Sequence, residues 1–469
     1  MERYTIYHCH SNRSLLDSCT DYKEYADRVS ELGYKALALT EHGNAYNWVE
    51  KKMYINSKGL KYIHGVECYL TASLEEKVRD NYHTILLAKN YEGVKEINLL
   101  IDKSTQPDHR YYKPRITFEE FFNISDNVIK ISACLASPLN KYPKDIQKQI
   151  AEKSAALKQE LANKVAELEK QKNDQKAMIK WFKQFDDLEE EELPWVINRC
   201  IPGDSYLHYI EAQIDKLKQY YDNLLEEVQL MNVTARETFY KLLETYDYYE
   251  IQPHDFPEQK RYNEFLYAAS KQTGKPLIAG TDTHSIDYYK AECRSILQKA
   301  KRIEYADEDK FDLTLKTYEE LVEMFRIQNC DIPFDVILQA IENTNVMADS
   351  VTDFELDTSV KYPKLYDNEE EVLKKRIFDK LHEKIDAGII KKKKIPEYVK
   401  RIKEEMRVFK KINMIGFMLF MSELVCWCWE NGIPVGPCRG SVGGSTVAYI
   451  TDIIDVDPVI WNTIFSRFA

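Results

Sequence analysis

The run Tyr4-Thr-Ile-Tyr7 is short and β-prone, and it leads into His8-Cys-His10, two histidines two positions apart. On a strand, residues i and i+2 project to the same side, so both imidazoles can aim at one point. Two readings are open for such a pair: ligands to a metal ion, or a surface or hydrogen-bonded core feature. What separates them is whether other ligand-type residues hold the same position relative to their own strands.

They do. Apolar, β-branched runs alternate with helical patterns through the first 285 residues, at Tyr4–Tyr7, Ala36–Leu39, Tyr62–Tyr69, Thr84–Ala88, Val128–Ser132, Tyr248–Gln252 and Pro276–Ala279. Seven such strands predict an α/β fold built as a βα barrel, where functional groups gather at strand ends. His8, His10 and Asp17 follow the first run, and His42 follows the second in Thr40-Glu-His-Gly-Asn. Glu67 lies in the third, His83 leads into the fourth, Cys134 follows the fifth, and Asp282 and His284 follow the seventh. Imidazole, carboxylate and thiolate in this mixture suit Zn²⁺, Mn²⁺ or Fe²⁺, and a bridging carboxylate can hold two or three such ions. Clusters of that kind hydrolyse phosphoesters. Five of the ten histidines fall at these strand ends; His64, His109, His208, His254 and His382 do not and read as ordinary polar residues.

Between strands five and six, from about residue 145 to 246, the chain turns to Lys, Glu, Gln and Ala, with Ile146, Ile150, Leu157, Leu161, Val165 and Leu168 at helical spacing. This predicts a charged helical hairpin or coiled-coil arm, with a break at Trp195, Pro202 and Gly203 and a second helix near Ala212–Met231. An apolar stripe of this kind ordinarily buries itself within its own hairpin. From Ala291 onward the pattern is mostly helical, which places a domain boundary at 290/291. No apolar run reaches the roughly 18 residues of a membrane span, and no signal peptide precedes the first strand. Ten scattered cysteines without a CxxC pair fit reduced thiols, so the expected location is the cytoplasm.

The net charge of −12 argues against a surface that is basic all over, yet Lys374–Lys411 carries fifteen Lys or Arg against six Asp or Glu. That run reads first as a solvated helical face. Beyond it lies Asn431-Gly-Ile-Pro-Val-Gly-Pro-Cys-Arg439-Gly440-Ser441-Val-Gly-Gly-Ser445. Ile433–Val435 reads as a buried strand entering a glycine-rich loop, with a helix starting at Ser441 or Ser445. Backbone amides, a helix N-terminus and Arg439 together suit a phosphate, although a tight turn explains the glycines equally well.

The motifs HCHSN, LTEHGN, GVECYL, HTILLAKN, CLASPL, YYEIQPH and GTDTH resemble the polymerase-and-histidinol-phosphatase (PHP) domain. The later run from Arg401 through Phe409, Ile415-Gly-Phe, Asn431 to Ser441, Ile454–Pro458 and Phe465-Ser-Arg-Phe is similar to the palm of the C family of bacterial replicative DNA polymerases, the polymerase III alpha-subunit family. The resemblance implies a PHP-type (β/α)7 barrel over 1–290 with its helical insertion, then a mainly helical, incomplete palm over 291–469. It implies that His8, His10, Asp17, His42, Glu67, His83, Cys134, Asp282 and His284 hold two to three divalent metal ions, and that Arg439, Gly440 and Ser441 meet the triphosphate of an incoming nucleotide. Glu41, Cys438 and Ser466 stand where the family usually has Asp, Gly and Glu, and the resemblance places Glu41 behind His42. The paired aspartates that bind Mg²⁺ for nucleotidyl transfer are expected beyond Phe468, with Asp455 and Asp457 in a structural turn before them. The function implied is that of an N-terminal segment of a replicative polymerase whose barrel removes 3′ nucleotides. Primer-template DNA, dNTP, the sliding clamp and other replisome subunits are the implied partners. The alternatives are a stand-alone phosphoesterase of the histidinol-phosphatase kind and a metal-braced scaffold.

Overall fold

The computed structural model describes residues 3–75, 78–172, 174–182, 203–303, 311–359 and 361–469. The chain forms two compact units, Met1–Glu355 and Leu356–Ala469.

The first unit is mixed α/β. Its strands are β1 (Ala36–Leu39), β2 (Lys61–Thr71), β3 (Tyr82–Ala88), β4 (Arg115–Thr117), β5 (Val128–Ile131), β6 (Tyr249–Ile251) and β7 (Leu277–Ala279). One sheet runs β1-β2-β3-β5 with β4 on β2, and β6-β7 form a second. Single bridges extend these pairings: Ile6 to Leu37, Ile131 to Tyr248 and Cys9 to Thr283, all parallel. The expected first strand, Tyr4–Tyr7, is thus an extended segment with isolated bridges rather than a ladder. β3 runs antiparallel to both β2 and β5, because no helix separates β2 from β3 and a short return reverses direction. β4 was not legible in the sequence; three residues carry too little periodicity.

Helices α1 (Tyr22–Glu31), α2 (Trp48–Ser57), α3 (Tyr91–Ser104) and α4 (Phe118–Phe122) connect the early strands. Asp21 and Glu24 form a reciprocal capping box that starts α1 just past the Asp17 loop. The insertion consists of α5 (Pro138–Gln171), α6 (Gln175–Phe182) and α7 (Gly203–Thr245). Gln147 bonds Asn232, Lys164 bonds Tyr221 and Tyr206 bonds the Gln171 carbonyl, so α5 and α7 run antiparallel. Their stripe buries itself, with Val165 and Leu168 packed on Tyr206, Ile210 and Ile214. Trp195 and Pro202 lie outside the described residues; Gly203 begins α7, which is longer than expected at both ends.

Next come α8 (Pro257–Thr273), α9 (Tyr288–Lys301), α10 (Tyr318–Gln328) and α11 (Phe334–Ser350). The last three belong to the first unit, so it extends to Glu355 and not to the 290/291 boundary read from the sequence. Tertiary hydrogen bonds explain this: Thr5 N donates to Thr344 on α11, and Asn343 donates to the Leu277 carbonyl of β7. Among the described residues no single helix is long and apolar enough to cross a membrane.

The second unit packs α12 (Glu369–Asp386), α13 (Ile395–Lys411), α14 (Ile415–Glu430) and α15 (Thr446–Ile450) around Leu373, Tyr398, Phe409, Met418 and Ile450. Much of its basic run is paired internally: Arg376 with Glu423, Lys380 and Lys384 with Asp452, Lys374 and Lys410 with Glu370. Lys391, Lys392 and Lys393 are exposed.

Candidate metal centre

All nine residues singled out at strand ends come together, from positions up to 276 apart in the sequence. His8 and His10 project from the N-terminal segment with Nε2 atoms facing the same carboxylates. Asp282 Oδ1 lies 3.0 Å from His8 Nε2 and 3.3 Å from His10 Nε2. Glu67 Oε2 lies 3.0 Å from His10 Nε2, 3.0 Å from His42 Nδ1 and 3.7 Å from His8 Nε2. Its other oxygen contacts His83 Nδ1, beside which Cys134 Sγ sits at 3.7 Å. Asp17 Oδ2 receives His42 Nε2 at 2.6 Å and His284 Nε2 at 3.1 Å. Asp282 holds a backbone φ of +45°, a left-handed conformation uncommon for Asp that a supporting surround must enforce.

Three overlapping groups have donor atoms within 4.8 Å of one another: His10, His42 and His284; His8, His10, Glu67 and Asp282; Glu67, His83 and Cys134. Glu67 and His10 each serve two groups. Several of these atoms, His8 Nε2, His10 Nε2, His42 Nδ1, both Glu67 oxygens and Asp282 Oδ1, are buried and lack an aligned hydrogen bond. Buried donors left in this state are costly unless a further partner sits among them. The chemistry and the spacing both fit divalent cations.

Electrostatics point the same way. Burial pushes the Glu67 carboxyl up, but His83 and His42 more than offset it and hold it well below the usual range. Asp282 is likewise held low against burial by His8 and His284. Burial opposes protonation of His42, yet Glu67 and Asp17 raise it to about 10. Burial, with Asp282 and Glu67 nearby, pushes the Cys134 thiol up.

Residues that the strand-end rule missed orient these ligands. Glu250, fully buried on β6, accepts from His8 Nδ1 at 2.7 Å, which leaves Nε2 as the lone-pair nitrogen facing Glu67 and Asp282. Gly280 makes room for it: a Cβ there would meet the Glu250 carboxyl at 2.3 Å. A glutamate in the middle of a three-residue buried strand was the available signal. Arg294 on α9 donates Nη2 and Nε to Asp17 Oδ1 and its carbonyl, each at 2.6 Å. Nothing in the sequence marked Arg294, because its role depends on α9 packing against the Asp17 loop. Glu41 does not touch the His42 ring. It accepts from Ser11 N, the Ser11 and Ser14 hydroxyls and Lys51 Nζ, tying two ligand loops together. Ser14 Oγ in turn accepts from His42 N at 3.1 Å.

Of the remaining histidines, His64 bonds Tyr62 and Asn98, and His109 bonds Asp108 and Glu120. His254 is different: buried, stacked on Phe311 at 4.6 Å, with neither ring nitrogen hydrogen-bonded. Burial lowers it to about 4.

In the second unit the glycine-rich stretch departs from expectation. Ile433–Val435 is in no strand, with Ile433 and Pro434 exposed and Val435 half-buried, and Gly440–Gly444 forms a 3-10 turn followed by the five-residue α15. The amides of Thr446 and Val447 are already satisfied by the Glu405 carboxylate, at 2.7 and 2.9 Å, so that helix start is closed to a phosphate. Arg439, Gly440 and Ser441 are exposed, with Gly440 at φ +63°, where glycine alone is unstrained. Asp457 accepts from Tyr398 and from the amides of Val459 and Ile460, a structural role.

A family model described as PHP domain matches residues 7–173, and one described as bacterial DNA polymerase III alpha NTPase domain matches residues 371–469. The chain is 26% identical over 483 residues to a DNA polymerase III subunit alpha of Aquifex aeolicus, covering 98% of this chain and 34% of that protein. It is 25% identical over 496 residues to that of Helicobacter pylori (99% and 34%) and 26% identical over 483 residues to that of Borreliella burgdorferi (99% and 34%). It therefore spans about a third of the length of the curated relatives it matches. Two independent domain matches in the same order, and similarity along nearly the whole chain, lead to one conclusion: the chain carries a PHP domain and a bacterial DNA polymerase III alpha domain, and along nearly its whole length it is similar to bacterial DNA polymerase III alpha subunits.

Proposed function

We propose that the first unit is a metal-dependent phosphoesterase that removes nucleotides from DNA 3′ ends, within a protein whose polymerase function is DNA-directed DNA synthesis. The observation that carries this is the meeting of nine ligand-type side chains, eight of them in three groups sharing Glu67 and His10 and the ninth, Asp17, against His42 and His284. The ring of strand pairings, from the N-terminal segment through β1, β2, β3, β5, β6 and β7 and back by Cys9 and Thr283, supports a PHP-type (β/α)7 barrel. His8, His10, Asp17, His42, Glu67, His83, Cys134, Asp282 and His284 would hold two or three Zn²⁺, Mn²⁺ or Fe²⁺ ions, which supply Lewis acidity and an activated water. The chain's own residues do the rest. Glu250 fixes the His8 tautomer and Arg294 anchors Asp17. Lys113, Lys141 and Lys144 line a cavity of about 750 Å³ over the cluster and favour an anionic substrate there.

In the second unit, Arg439, Gly440 and Ser441 are proposed to meet the triphosphate of an incoming dNTP, with Mg²⁺ as the polymerase metal. The amides closed off by Glu405 leave this to Arg439 and the 3-10 turn. Primer-template DNA, the sliding clamp and other replisome subunits are the proposed partners, in the cytoplasm.

The test is elemental analysis of protein purified without chelator, together with shortening of a 5′-labelled single strand in Mn²⁺, Zn²⁺ or Fe²⁺, for the native chain and Asp282→Asn. Bound transition metal and strand shortening, both lost in Asp282→Asn, are expected. Turnover of a small phosphomonoester without strand shortening would favour a metabolite hydrolase. Loss of melting temperature in Asp282→Asn, with no nuclease activity in either protein, would leave a scaffold.

A further inference from the structure

The cavity over the cluster has a neighbour. A second cavity of about 590 Å³ lies at the root of the helical arm, between the first turns of α5, the last turns of α7 and the start of α8. The two share Asn140, Lys144 and Glu258 as a common wall. The second is lined by the aromatic side chains Phe239, Tyr262 and Phe265, the last of them 37% exposed at the surface. Around them stand Lys144, Arg236 and Arg261 against one carboxylate, Glu258. In a chain of net charge −12 a local excess of cations beside aromatic faces is not a default surface. A basic groove interleaved with aromatic rings is the composition that holds single-stranded nucleic acid, with phosphates on the cations and bases on the rings.

We propose that this groove seats the DNA strand adjoining the scissile phosphodiester, with bases against Phe239 and Phe265 and phosphates on Lys144, Arg236 and Arg261. The proposal rests on the phosphoesterase reading of the cluster and adds to it a substrate class: an unpaired strand long enough to occupy both cavities. A lone phosphomonoester fills only the first. An acidic peptide would satisfy the same cations, but the shared wall with the metal cluster favours a ligand that itself carries the phosphoester.

The test uses the full chain and a fluorescein-labelled oligothymidylate, with binding followed by anisotropy in Ca²⁺ and without metal, across a salt series. The double variant Arg236→Ser with Arg261→Ser is expected to bind about a hundredfold more weakly, at about tenfold for each charge-assisted phosphate contact. Its plot of log affinity against log salt should be shallower by about 1.4, at roughly 0.7 for each phosphate. Phe265→Ala should weaken binding about tenfold and leave that slope unchanged. In Mn²⁺, the ratio of strand cleavage to cleavage of bis(p-nitrophenyl) phosphate should fall in both variants. Native affinity and slope in the arginine variant would overturn the groove, as would competition by polyglutamate equal to that of unlabelled oligothymidylate. Weakened binding in the variants of a chain that cleaves neither substrate would uphold the groove and refute the phosphoesterase reading.

Discussion

Glu41 is the buried joint between two ligand loops, and its removal has a calculable cost. The carboxylate is fully buried, 2.6 Å from Lys51 Nζ, which is itself 2% exposed, and it accepts from Ser11 and Ser14. Stripping one partner from a buried ion pair costs about 3–5 kcal/mol, because the other charge stays behind in a medium that solvates it poorly. The acid side gives a similar figure. Burial raises the Glu41 carboxyl, but Lys51 and the serine hydroxyls bring it down to about 2. Against about 4.3 in an unfolded chain, at about 1.4 kcal/mol per pH unit, this corresponds to about 3 kcal/mol. Because the folded value is the lower one, that stability is complete above about pH 5 and is lost as pH falls toward 2. The first unit spans 355 residues, and at about 2 cal/mol/K per residue its unfolding entropy is roughly 0.7 kcal/mol/K. Glu41→Gln should therefore lower the melting temperature of that unit by about 4–7 °C at pH 7, read by scanning calorimetry. The gap should narrow to about half near pH 3 and nearly close as the pH falls to 2. Glu41→Gln combined with Lys51→Met should regain most of the loss, since a neutral pair strands no charge. A single variant within about 1 °C of the native protein at pH 7 would refute the reasoning, as would a double variant that melts below the single one.

Glu250→Ala removes the acceptor of His8 Nδ1; metal affinity, measured by competition with a chromophoric chelator, should fall about 10–100-fold. Gly280→Ala, whose Cβ collides with the same carboxyl, should reproduce this, and native affinity in both would discount Glu250 as an orienting group. Chelation should lower the melting temperature of the first unit by about 4 °C, the equivalent of about 2.7 kcal/mol at a hundredfold excess over Kd, with Zn²⁺ or Mn²⁺ restoring it. An unchanged transition would mean that the cluster is stable without ions. In the second unit, Glu405→Ala strands the Ser445 hydroxyl and two amides; a loss of about 2–4 kcal/mol is expected, with faster hydrogen exchange at Thr446 and Val447. Native exchange rates there would show that the turn does not depend on Glu405.

The donors of the cluster were legible because a strand's period of two and the gathering of strand ends are local rules: His8-Cys-His10 and Thr281-Asp282-Thr-His284 announce themselves within a few residues. The self-burying arm was legible for the same reason, since its 3.6-residue stripe lies within single helices. Sequence alone thus determined the residue types at the strand ends, the helical insertion and, through two ordered motif sets, the resemblance to the polymerase III alpha subunits. Tertiary structure decided what depends on non-local approach. Glu250 reaches His8 across 242 positions and Arg294 reaches Asp17 across 277; α9 to α11 fold onto the first unit, and Glu405 closes the helix start that looked open to phosphate. A buried charge takes its meaning from whichever partner packing delivers, and no window of neighbouring residues contains that partner.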